Sequence, residues 1–183
     1  MQSDQDTASR GERKTSDDSR PMPNGVAHGA HRRGHDEGTT TASDVIGVWR
    51  LCSYYLEVQQ TGERIEPYGA HPKGVLMIHP EGRVAVVMTP GEQRRPATEA
   101  DQAQAFQKLI AYSGLYRVEP PNRLVTAVDI AWFEPWVGSE QARNFAVSGD
   151  TLDIVSMPTR TPLTGDALVV GVLSWVRESV RDG

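Results

Sequence analysis

From Val45 onward the chain breaks into short runs of β-branched and aromatic residues, cut apart by glycine and proline. In order they read GVWRLCSYYLEV, VLMIH, RVAVVM, GLYRVE, RLVTAVDIAWF, QARNFAVS, TLDIVSM and ALVVGVLSWVRES. Between them lie turn formers: Thr61-Gly62, Pro80-Glu81-Gly82, Pro120-Pro121 and Gly149-Asp150. Such runs read as strands, and short connections between them as hairpins. Consecutive hairpins make an antiparallel meander, which either leaves two unpaired edges or closes on itself. Eight strands favour closure, because an eight-stranded barrel has room for packed side chains or one small ligand. The expected fold is therefore all-β, an eight-stranded antiparallel barrel.

One segment breaks the period. Thr98 precedes EADQAQAFQKLIAY, and Asp101 follows three residues later. This is a capping box with Asp in place of Glu or Gln, and it predicts one helix. Ala103, Phe106, Leu109 and Ile110 would share its apolar face. Residues 1–43 contain few apolar side chains and cannot offset the entropy of ordering a backbone. They are expected to form a disordered tail, with the barrel domain over 44–183. The tail's His28, His31 and His35 lack a cysteine or fixed carboxylate to complete a metal site.

The net charge is −5, and no basic strip emerges, so nucleic acid is not an expected partner. No apolar run reaches the length of a membrane span, and the N-terminus lacks a signal-peptide pattern. Cys52 is the only cysteine, which excludes an intramolecular disulfide and makes a cytoplasmic location the simplest expectation. No Gly-rich phosphate loop, nucleophile elbow or metal-ligand cluster appears. No cofactor and no metal are expected.

Several motifs resemble the bacterial and fungal lipocalin-like domain family over about Ile46 to Arg177. Gly47 and Trp49 resemble the Gly-x-Trp of lipocalins, and Arg177 is similar to the arginine that lipocalins lay across that tryptophan. Tyr68, Gly69, Pro72, Gly74 and Leu76 resemble the family's next connection, and PEGR resembles its hairpin. Trp136, Gly138, Gln141, Arg143 and Phe145 resemble a later hairpin. The Thr-Asp-Tyr motif of secreted lipocalins is missing, and Thr126-Ala127 stand where many relatives carry histidine. The resemblance implies a lipocalin-like barrel that binds a small molecule, with polyketide-like or terpenoid-like intermediates of secondary metabolism as the ligand class.

Asp129 is the odd residue of the fifth strand. Strict alternation would place Thr126, Val128, Ile130 and Trp132 on one face, and Ala127, Asp129 and Phe133 on the other. In an apolar wall its pKa would rise, which suits a general acid or base, with Glu134 near enough to act beside it. The plainer reading pairs Asp129 with Arg143 across the strands on the barrel's outer face. Glu134 likewise reads plainly as a solvated turn residue, and His71 as an exposed loop histidine. Tyr55, Trp132 and Trp136 suit a cavity for a flat apolar molecule, and Arg143 and His71 are further candidate contacts. Trp49 and Trp175 read as core. These readings predict a binder of an apolar or aromatic small molecule, with cofactor-free cyclisation or isomerisation as the reaction class if there is turnover. A passive carrier and an oligomerising module, including a homodimer, are the alternatives.

Overall fold

The computed structural model describes residues 43–160, 164 and 167–179. The expected tail, with His28, His31 and His35, lies outside the described residues apart from Ser43.

Among the described residues, ten strands form one sheet: β1 (Gly47–Val58), β2 (Arg64–Ile65), β3 (Lys73–Ile78), β4 (Arg83–Thr89), β5 (Ile110–Glu119), β6 (Arg123–Ala131), β7 (Glu140–Ser148), β8 (Thr151–Ser156), β9 (Thr159–Arg160) and β10 (Leu168–Arg177). Eight are long; β2 and β9 are two-residue additions beside β1 and β10. The long strands pair as an antiparallel meander in the order β1-β3-β4-β5-β6-β7-β8-β10, and β1 pairs with β10 to close the ring. Closure removes the exposed edges that a meander would otherwise carry. The expected eight-stranded antiparallel barrel is thus observed.

Trp49, Leu51, Leu76, Ile78, Val84, Val86, Met88, Leu124, Phe145, Leu152, Ile154 and Trp175 fill the interior, most of them at alternate positions along their strands. The alternation fails at two bulges. Leu51 pairs with Trp175 and Ser53 with Ser174, which leaves Cys52 as an extra residue in β1. The inward set therefore changes from Trp49 and Leu51 to Tyr54, Leu56 and Val58, because side chains alternate with a period of two. In β6, Ser113 faces Ile130 and Gly114 faces Val128, with Asp129 between them. At that bulge the backbones come so close that a Cβ on Gly114 would overlap the Ala127 carbonyl oxygen.

Helix α1 (Glu99–Gln107) joins β4 to β5 and begins with the predicted capping box. Thr98 Oγ1 accepts from the Asp101 amide at 3.1 Å, and the Asp101 carboxylate accepts from the Thr98 amide at 3.0 Å. Its predicted apolar face is not buried. Phe106 is 52% exposed, and Ile110 already belongs to β5. The helix is too short and alanine-rich to cover a core stripe.

The strand directions give the barrel two unlike ends. One carries the short β3–β4, β5–β6 and β7–β8 turns; the other carries the longer connections containing α1 and a 3₁₀ turn, Glu134–Trp136. At the first end Trp49 is fully buried, and its indole Nε1 donates to the Val45 carbonyl at 2.8 Å. The Arg177 guanidinium lies 4.1 Å from the ring centroid of Trp49 and donates to the carbonyls of Ile46 (2.7 Å) and Asp44 (2.9 Å). Gly47 has φ of +147°, and a Cβ there would stand 2.5 Å from Arg177 Nη1. Only glycine lets the arginine lie flat over the plug.

Candidate functional site

Above the plug the interior is not filled. A cavity of about 260 Å³ is walled by Leu56, Leu76, Val84, Val86, Met88, Ile110, Leu124, Ile154, Val169 and Leu173. Its wall reaches exposed Thr159 on the side away from Trp49. The polar residues of this wall are Tyr54, Tyr112, Thr126, Arg143, Ser156 and Thr159, with the rings of Trp136 and Trp175 also bordering it.

Register explains how they meet. Leu124, Arg143 and Ser156 are cross-strand partners on β6, β7 and β8, so all three point inward. Arg143 Nη1 donates to the Ala142 carbonyl at 2.8 Å, and Nη2 to Gln141 Oε1 at 3.1 Å. None of the ion pairs among the described residues involves Arg143. Tyr54 enters the cavity because of the β1 bulge, and packs edge-on to Tyr68 at 5.1 Å. Tyr112 packs edge-on to Trp136 at 5.5 Å, and Trp136 edge-on to Trp132 at 4.9 Å. The Trp132 indole donates to the Phe106 carbonyl at 3.1 Å, which ties the 3₁₀ turn to the end of α1.

Burial pushes the pKa of the Tyr54 and Tyr112 hydroxyls up, while the positive charge of Arg143 pulls weakly the other way. Both therefore stay protonated donors at neutral pH. Trp175 is 2% exposed, and its Nε1–H has no hydrogen-bond partner among the described residues.

Among the residues singled out from sequence, Trp136 and Arg143 stand in the cavity wall. Trp132 stands behind Trp136. Tyr55 is turned outward by the bulge, with the Arg64 guanidinium 4.5 Å from its ring centroid. His71 is exposed on the β2–β3 connection, and Glu134 is exposed at the start of the 3₁₀ turn. Asp129 lies on the outer surface, but its partner is Arg83 rather than Arg143: Nη2 donates to Oδ2 at 2.7 Å and Nη1 to Oδ1 at 3.0 Å. That bidentate hydrogen bonding holds the Asp129 carboxyl below the usual range, opposite to the rise expected in an apolar wall. Plain alternation is the reason: Leu124 and Thr126 line the cavity, so Asp129 falls on the outer face, and the second bulge turns Ile130 outward as well, leaving it 64% exposed. The structure does not bring Asp129 and Glu134 together in the cavity.

Tyr54 and Tyr112 were not among the expected contacts, and Trp175, read as core, also borders the cavity. The adjacent tyrosines at 54 and 55 held a signal, but only the bulge decides which one faces in.

A lipocalin-like domain model matches residues 46–178. The chain belongs to the lipocalin-like domain family. Among curated proteins none matches it. The fold and family fit a small-molecule-binding protein, and among the described residues no helix of this lipocalin-like domain is long and apolar enough to cross a membrane.

Proposed function

We propose that this lipocalin-like barrel holds one flat, largely apolar molecule, of aromatic, polyketide-like or terpenoid-like character, as an intermediate of secondary metabolism. The observation that carries the reading is the unfilled cavity of about 260 Å³, with aliphatic and aromatic walls and a few inward polar groups. Such a composition orients a ligand by a small number of hydrogen bonds while apolar contact supplies affinity. Its volume lies just below the usual range of roughly 300–1,000 Å³ for small-molecule sites, which points to a small ligand.

The test is saturable binding of the neutral dye N-phenyl-1-naphthylamine, followed by its fluorescence. Ile110→Trp should fill the cavity mouth and weaken the dye at least about tenfold, a change of ~1.4 kcal/mol. A dye that ignores this substitution, or never binds, overturns the reading.

Turnover as a cofactor-free cyclase or isomerase is favoured by one specific observation. Tyr54 and Tyr112 offer neutral hydroxyls to the cavity, and such acids can polarise a carbonyl while the walls hold a reactive conformer. Asp129 and Glu134 lend that reading no support from where they lie. Native mass spectrometry of the purified protein would identify a retained molecule. Conversion of that molecule by wild type but not by Tyr112→Phe separates turnover from holding.

A further inference from the structure

Arg143 is an unusual group to find in this wall. Around it are leucine, isoleucine, valine and aromatic rings, and among the described residues the wall contains no aspartate, glutamate, lysine or histidine. A guanidinium has five N–H donors. Those of Arg143 reach only the Ala142 carbonyl and Gln141 Oε1 among the described residues, and neither acceptor carries charge. A cation in a low-dielectric wall without a counter-charge is costly. Trp175 presents a second imbalance, a buried indole N–H with no acceptor among the described residues, in a residue that borders the same cavity. The hydroxyls of Tyr54 and Tyr112 are within the electrostatic reach of Arg143. The cavity thus gathers hydroxyl donors and one positive charge, and its described wall holds no carboxylate to balance that charge.

We propose that the cavity selects apolar molecules bearing a single carboxylate, which Arg143 binds through its guanidinium fork with Tyr54 and Tyr112 as neighbouring donors. This rests on the holding function above and names the ligand class. One cation matches a monoanion, whereas a phosphate dianion would bring a second charge with no second cation to meet it. The planar fork suits the two oxygens of a carboxylate, and charge-assisted bonds of this type are stronger than neutral ones.

The experiment compares 2-naphthylacetate with its uncharged isostere 2-naphthylacetamide, titrated calorimetrically into the full chain at pH 7.5. The wild type should bind the acid about ten- to a hundredfold more tightly than the amide. Arg143→Gln should bring the two within about threefold of each other, with N-phenyl-1-naphthylamine still bound. Ser156→Asp supplies an independent route, because it sets a carboxylate on the residue directly across from Arg143. It should abolish the preference while keeping the arginine. Equal binding of acid and amide by the wild type overturns the proposal, as does a preference that survives either substitution. If the neutral dye binds but the acid gains nothing, the anchor is wrong and the holding function stands. If the dye does not bind either, both fall.

Discussion

At the closed end of the barrel, the Trp49 indole has its acceptor, and Arg177 spends its donors on two carbonyls and its flat face on the ring. Above that plug, the Trp175 indole has no acceptor and Arg143 has no counter-ion among the described residues. The same two residue types, tryptophan and arginine, occur in both places. What differs is whether the chain itself satisfies them. Where it does, they brace the fold; where it does not, the residues border an unfilled space. The outer Arg83–Asp129 pair repeats the first case on the surface.

The contrast breaks most clearly at the plug. Trp49→Ala should destabilise the protein by about 3–5 kcal/mol in urea unfolding, as expected for truncating a fully buried tryptophan. A loss below about 1 kcal/mol would mean that Trp49 does not brace the closed end. Arg177→Gln removes the stacked charge and should cost about 1–2 kcal/mol, with dye affinity changed less than about twofold. A larger change in dye affinity would show that the two ends are coupled. Trp136→Ala reverses the pattern: dye affinity should fall about fivefold, close to 1 kcal/mol, with a comparable or smaller loss of stability. Asp129→Asn should give the smallest effect, a modest fall in Tm at pH 7. The folded carboxyl titrates below its unfolded value. Its stabilisation is therefore complete above the unfolded pKa and disappears as pH falls through the folded one. Wild type and variant should converge in strong acid, and a Tm gap that persists there would remove the Arg83 pairing as its cause.

Much of the architecture was legible because it depends on local chemistry. Turn formers mark the hairpins, Thr98 and Asp101 mark the helix start, and Gly47, Trp49 and Arg177 mark the plug. The cavity wall was legible only in part, because facing depends on an unbroken count along each strand. One extra residue at Cys52 exchanges Tyr55 for Tyr54, and one at Asp129 turns Ile130 from the inner face to the outer. Nothing in the local sequence announces either insertion. Pairing across strands was equally hidden. Arg83 lies 46 residues before Asp129 on a strand that is not its immediate neighbour, so only the assembled sheet brings the two together. The solvent-facing helix shows a different limit: capping chemistry sets where a helix starts, whereas burial depends on what the rest of the chain leaves uncovered.

The Arg177–Trp49 stack also carries a consequence for biosynthesis. The first strand of the barrel is made long before its closing partner, and the Arg177–Ile46 hydrogen bond spans 131 residues. During translation β1 can pair with β3, but its other edge must wait until β10 has left the ribosome. Contacts this distant in sequence form late and slow folding. For a nascent chain, then, closing the ring and capping its base are a single late event, and the edge of β1 is the place where a chaperone, or a second unfinished chain, has time to act.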